Sequence, residues 1–108
     1  MTEKFLGKIT SAKFGTVKDY PFLMGLQLRF SFNGSSIGDG GKYTVNLSNH
    51  CNWENKNRSE TIEKSIEFIN KILEDAKCNY VNELINKPVE LTIENNTFKD
   101  FRILTEVI

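Results

Sequence analysis

The sequence predicts an α+β domain: an antiparallel sheet of about five strands, in the order β-β-β-α-β-β, packed against one main helix. Three observations carry this. Phe22, Met24, Leu26, Leu28, Phe30 and Phe32 occupy every second position, the period of a strand buried on one face. Ile62, Ile66, Ile69, Leu73 and Ala76 recur at intervals of three and four, which is helical. After the helix, Val89, Leu91 and Ile93 alternate with Glu90, Thr92 and Glu94, restoring period two. Strands on both sides of one helix point to a sheet with that helix on one face. The same element order also fits a partly open five-stranded barrel.

Each element follows from local chemistry. Phe5 to Thr16 reads as a strand, with Gly7 and Gly15 as candidate bulges or its end. Lys18-Asp19-Tyr20-Pro21 is a turn, because Pro21 fixes its own φ and pushes Tyr20 toward extended geometry. The strand Phe22–Phe32 has six large side chains to hide. Asn33 to Gly41 then holds four glycines in nine residues, and reads as a mobile tip on a rigid strand. Asn33-Gly34 is a favourable turn pair, but Gly38, Gly40 and Gly41 extend the connection beyond a tight hairpin. Lys42 to Leu47 alternates as a third, shorter strand.

Ser48 to Asn57 is polar, with His50, Cys51 and Trp53 embedded in it. Asn57 with Glu60 forms a capping-box-like start to the helix, whose stripe Phe68 and Ile72 widen. Glu60–Lys64 and Glu67–Lys71 are spaced for i, i+4 ion pairs. Asn79 is placed to cap a short second helix with Val81, Leu84 and Ile85 inward, stopped by Pro88. Pro88–Glu94 and Phe98–Val107 form the last hairpin, turning at Asn95-Asn96.

At 108 residues the chain is one domain, 1–108, with room for a modest core. No apolar run approaches the roughly 20 residues of a membrane span, and Met1-Thr2-Glu3-Lys4 does not open like a secretory signal. Two cysteines imply no disulfide framework, so a reducing cytoplasm is the expected location. Net charge is zero, which argues against a generally basic nucleic-acid binder. Residues 1–58, however, carry eight Lys/Arg against four Asp/Glu, and residues 59–108 carry six against ten. A basic sheet surface opposed to an acidic helix surface could steer a partner.

Chemistry-bearing motifs are sparse. Gly38-Asp39-Gly40-Gly41-Lys42 ends like a phosphate-binding loop. Ser36 stands where its first glycine should be, Tyr43 follows the lysine, and a strand rather than a helix comes next. His50, Cys51 and Cys78 lack the paired spacing of a zinc site, and adjacent His50 and Cys51 point apart on an extended segment. Glu90 and Glu94, with Glu106, could do acid–base work only in a buried cleft, and a solvated strand face has the same pattern. No catalytic residue, metal or cofactor is therefore assigned. Aromatics interleaved with Lys18, Arg29 and Lys42 suggest single-strand nucleic-acid binding, but alternation puts Arg29 on the face opposite the Phe residues. The candidate partner-binding set is Arg29, Asn33, Ser35, Ser36, Asp39, Lys42 and Trp53.

The segments Gly41–Asn46, Lys71–Val81, Asn86–Glu94 and Phe101–Val107 resemble small proteins encoded in phages and prophages of low-GC Gram-positive bacteria. An Asn-, Lys- and Ile-rich composition agrees with an AT-rich genome. The resemblance covers most of the chain and carries no catalytic motif. It implies a non-enzymatic binding protein in the bacterial host cytoplasm, such as an inhibitor of a host defence complex of the anti-CRISPR type. Its partner would be a host protein or complex, with no membrane. The alternative is a single-strand nucleic-acid-binding accessory protein of phage replication or recombination.

Overall fold

The structure, a computed structural model, describes residues 2–47 and 55–107, with side chains of the helix described from residue 59 onward. Six strands form one antiparallel sheet around β1 (Thr2–Val17) and β2 (Tyr20–Phe32). β3 (Ser35–Gly38) and β4 (Thr44–Asn46) follow, then α1 (Asn55–Asp75), a 3-10 turn at Val81–Leu84, β5 (Pro88–Glu94), β6 (Thr97–Ile103) and a 3-10 turn at Thr105–Val107. The order across the sheet is β3-β2-β1-β5-β6, with β4 also pairing β2. The predicted α+β class holds, with one strand more than expected.

β1 is the hub, and it is staggered. Its first half, Thr2 to Lys8, pairs β5, while Lys8 to Val17 pairs β2. A register shift between Ile9 and Ser11 lets Ile9 and Ala12 both face the helix. A second shift lies between Thr16 and Val17, so the irregularities fall at Thr10 and at the end of β1, not at either glycine. Gly7 has a different role, since a Cβ there would stand 2.3 Å from the Ser31 carbonyl oxygen.

The expected mobile tip is folded. Asn33 and Gly34 both have positive φ, 49° and 76°, the requirement of a tight two-residue hairpin turn. Ser35–Gly38 then pairs back onto β2, from Phe32↔Ser35 to Arg29↔Gly38. The third strand is shorter than its alternation suggests, Thr44–Asn46, and pairs the start of β2. β1 holds one edge of β2, so β3 and β4 lie end to end along the other.

Between them the ladder is interrupted, and Asp39 fills the gap. Its amide donates to the Leu28 carbonyl at 3.1 Å, and its Oδ2 accepts the Leu28 amide at 2.9 Å. Oδ1 accepts the Gly41 amide at 3.0 Å. Asp39 is the only buried charged side chain among the described residues. A carboxylate buried this way is stable because its lone pairs meet backbone donors.

The core lies between the sheet and α1, around Ile9, Leu26, Leu28, Phe30, Leu84, Val89 and Leu91, with Ile69, Ile72 and Ala76 from the helix. Each such side chain contributes roughly 1.5–3 kcal/mol on burial. Core formation stops before the ends of the apolar patterns. Of the six alternating side chains in β2, Leu26, Leu28 and Phe30 are buried and Met24 and Phe32 half-buried. Phe22 is 43% exposed, as is Phe14 on β1, which pairs Leu26, at 47%. The reason is the stagger: the β1–β2 ribbon runs beyond β5, so this half of β1 has no strand on its outer edge. Ile62 and Ile66, expected in the buried stripe, are exposed because this part of the helix turns Thr61, Ser65 and Phe68 toward Tyr43 to Val45 instead.

Smaller corrections concern ends and pairs. Tyr80, in extended geometry, caps the Val81–Leu84 turn without a side-chain bond, and the Asn79 amide donates to Glu83. Leu84 is buried as expected, whereas Ile85 is exposed. Lys71 pairs with Asp75 rather than Glu67, at 3.3 Å. The last strand ends at Ile103, and Val107 is exposed. The Asn57 capping side chain lies outside the described residues.

The sheet is not closed by any backbone ladder among the described residues. Side chains span the opening instead. Tyr43 stacks on Phe68 and meets Phe98 and Phe101 edge-on, and the Lys42 ammonium donates to the Lys99 carbonyl.

Candidate functional site

Register decides which side chains share the uncovered face. Opposed residues in an antiparallel pair point the same way. The pairs Lys4↔Thr92, Leu6↔Glu90, Lys8↔Ser31, Ser11↔Arg29 and Lys13↔Gln27 therefore lie on the face away from α1. Ser36 and Gly38 continue it on β3, and Arg102 and Asp100 on β6.

Charge is segregated across that face. Lys8, Lys13, Lys18 and Arg29, on the β1–β2 side, have no carboxylate within 4.0 Å among the described residues. On the β5–β6 side the charges are paired. Arg102 binds Glu90 at 3.2 Å and forks onto Glu106 at 3.2 and 3.3 Å. Lys99 meets Glu94 at 2.9 Å, and Lys4 reaches Glu90 at 3.8 Å. These partners raise the Arg102 pKa, chiefly through the bond to Glu106. Glu106 is held below the usual carboxylate range by its own backbone amide first and Arg102 second. The expectation of a basic sheet opposed to an acidic helix is corrected in part: an acidic patch sits on the same sheet face as the basic one. Glu90 and Glu94 are surface ion-pair members, not a buried acid–base couple.

A cleft of about 310 Å³ opens where β1 and β2 meet the turn after β3, lined by Ser11, Lys13, Gln27, Arg29 and Gly38 to Gly41. Arg29 Nη2 donates to Ser36 Oγ at 3.3 Å, and Gln27 Nε2 donates to the Gly15 carbonyl at 3.2 Å.

The structure brings together some of the predicted binding residues and separates others. Arg29 and Ser36 are adjacent on the open face. Asp39 adjoins them, but its oxygens are engaged by backbone amides. Ser35 pairs Phe32 and belongs to the helix side. Asn33 sits in the hairpin turn. Lys42 reaches β6, with its ammonium 6.0 Å from the Phe98 ring centre. Trp53, His50 and Cys51 lie outside the described residues. Sequence reasoning missed Ser11 and Lys13. Alternation alone could not place them beside Arg29, because the shift at Thr10 changes which face they occupy.

Among the described residues no three His, Cys, Asp or Glu side chains cluster as metal ligands. No helix is long and apolar enough to cross a membrane. Cys78 is half-buried, and burial first, then Glu83, pushes its thiol pKa up. The Tyr43 phenol is raised well above its ordinary value by burial, then by Asp100 and Asp39. Neither shift favours a nucleophile, since both disfavour the anion.

No protein-family model, curated protein or solved structure matches the chain.

Proposed function

We propose that this is a non-enzymatic binding protein, a phage-encoded inhibitor of a host defence complex of the anti-CRISPR type. In this reading it docks through the uncovered face of its sheet. One observation carries the proposal: among the described residues, a six-stranded sheet is covered by a helix on one side only, and its open face bears cations without carboxylate partners on β1 and β2. Such a surface suits an acidic patch on a folded protein. The resemblance noted in the sequence supplies the host-defence context.

The arrangement of aromatic side chains favours a protein over single-stranded nucleic acid. Phe5, Phe14, Phe30, Phe32, Phe98 and Phe101 share the register of the helix-facing side. None of these six rings therefore gives the basic face a stacking platform of the kind single-strand binders place among their cations.

Affinity capture from the host lysate tests the proposal. The wild-type protein is expected to retain a defined host protein, and Arg29→Glu with Lys13→Glu to release it while remaining folded. Equal retention by the charge-reversed protein would refute docking through this face. Tight, steeply salt-dependent binding of single-stranded DNA with no protein captured would refute the inhibitor reading.

A further inference from the structure

The cleft under the Asp39–Gly41 turn differs from the rest of the open face in what it concentrates. Ser11↔Arg29 and Lys13↔Gln27 are successive same-face pairs. Residues related diagonally in this way are about 7–8 Å apart, within reach of long side chains. Arg29 and Lys13 thus converge on one cavity. Ser11 flanks Arg29 on β1 and Ser36 flanks it on β3. Ser36 Oγ accepts from the guanidinium, so its own proton is free to point outward.

The floor is built for close approach. A Cβ at Gly38 would stand 3.1 Å from Arg29 Nη1, so glycine lets the guanidinium lie across the strand. Gly40 and Gly41, with φ of 68° and 81°, carry the turn without side chains over the cavity. The one acid in the wall, Asp39, has each oxygen bound to a backbone amide, 2.9 Å from Leu28 N and 3.0 Å from Gly41 N. Two cations against one engaged carboxylate leave the cleft with a net positive charge.

The donor set discriminates between anions. A carboxylate has two coplanar oxygens, and a single forked guanidinium satisfies it. Here a guanidinium from β2 and an ammonium and a hydroxyl from β1 line one cleft, which suits a tetrahedral group with three or four acceptor oxygens. We propose that this cleft binds a phosphate group, gripped by Arg29 and Lys13 with Ser11 as a hydroxyl donor, while Ser36 at the rim orients the guanidinium. The group would belong either to a free nucleotide or to a nucleic-acid strand. This goes beyond the docking proposal and does not depend on it.

Amide-resolved NMR titration at low salt tests it, using inorganic phosphate, AMP and an oligonucleotide lacking terminal phosphates as probes. Saturable shifts are expected at Ser11 and Gly38 to Gly41. Lys13→Gln and Arg29→Gln should each weaken binding at least about tenfold, the loss of one charge-assisted bond, with amide shifts elsewhere reporting an intact fold. Lys18→Gln, a cation outside the cleft, should leave binding within about twofold. Saturation by AMP alone assigns a monoester; saturation by the oligonucleotide at the same amides assigns a backbone phosphate, and both support the site. No saturable shift with any probe, equal weakening by Lys18→Gln, or acetate competing as well as phosphate would overturn it. Capture of a protein partner is read separately, so the docking proposal can fail without this one.

Discussion

Replacing Asp39 with alanine removes two hydrogen bonds in the stretch of the β2 edge that lies between β3 and β4. The magnitude follows from what each amide loses. Leu28 is 2% exposed, so its amide, now 2.9 Å from Oδ2, has no route to water. A buried donor left unpaired costs about 1–3 kcal/mol. The Gly41 amide, 3.0 Å from Oδ1, lies in a partly exposed turn where water can replace the carboxylate, so its loss costs about 0–1 kcal/mol. Asp39→Ala should therefore destabilise by about 1–4 kcal/mol, a large part of the roughly 5–15 kcal/mol expected of a domain this size. Asp39→Asn keeps one acceptor oxygen and should lose about half as much. Urea unfolding followed by circular dichroism measures both, with an unchanged slope expected because the exposed surface barely changes. If Asp39→Ala stays within about 0.5 kcal/mol of the wild type, the carboxylate is not what closes this gap, and the account of the loop as a braced element fails.

Tyr43 has a buried hydroxyl with no hydrogen-bond partner among the described residues. Tyr43→Phe should be neutral or stabilising by up to about 1 kcal/mol, and a loss beyond about 1 kcal/mol would reveal a partner for it. The raised Tyr43 pKa also sets a pH effect. Its contribution is fully present below about pH 10, where the unfolded phenol ionises, and declines above that because the native phenol keeps its proton. Unfolding free energy should thus fall more steeply above about pH 10 in the wild type than in Tyr43→Phe. Gly25 has φ of 152°, and a Cβ there would stand 2.4 Å from the Tyr43 carbonyl oxygen. Gly25→Ala should cost about 2–5 kcal/mol, whereas Gly15→Ala, with nothing within 4 Å, should not destabilise in the same denaturation assay. On the helix, Ile66 is 54% exposed and Ile69 buried. Ile66→Glu should change stability by less than about 0.5 kcal/mol and Ile69→Ala should cost about 2–5 kcal/mol, and the reverse ranking would show that α1 is rotated.

Much of the architecture was legible because period and burial agree over long stretches. β5 was read from Pro88 to Glu94 with both ends correct, since Pro88 and the Asn95-Asn96 turn bracket a strict alternation. The class and, β3 apart, the element order followed from the same patterns, whereas the helix face held only from Phe68 onward. What escaped was whatever depends on the pairing of distant segments. Four glycines in nine residues looked like freedom, yet three of them complete turns and Gly38 makes room for Arg29. Composition does not reveal that the Asp39 carboxylate is a ladder partner for an amide eleven residues earlier. Phe14 and Phe22 fit their strands by period, but their exposure is set by how far β5 extends beside β1. For the site, alternation correctly separated Arg29 from the Phe residues. It could not bring Lys13 and Ser11 to Arg29, because that requires the register shift at Thr10.

That same register changes the meaning of zero net charge. Among the described residues only one side of the sheet is covered, so charges on the other keep their hydration and need no partners. Strand order then sorts them, with unpaired cations on β1 and β2 and the carboxylates of Glu90, Glu94 and Asp100 on β5 and β6. β2 and β6 are three strand spacings apart, about 14 Å at ~4.8 Å each. The screening length at physiological ionic strength is about 8 Å. A partner close to the surface therefore meets a positive region or one where Glu90 and Glu94 are largely offset by Arg102, Lys4 and Lys99, not their sum. A neutral protein arranged this way can still orient an encounter, and raising salt should slow association while leaving dissociation nearly unchanged. The argument from net charge against an anionic partner holds for the chain as a whole and lapses for the β1–β2 half of this face.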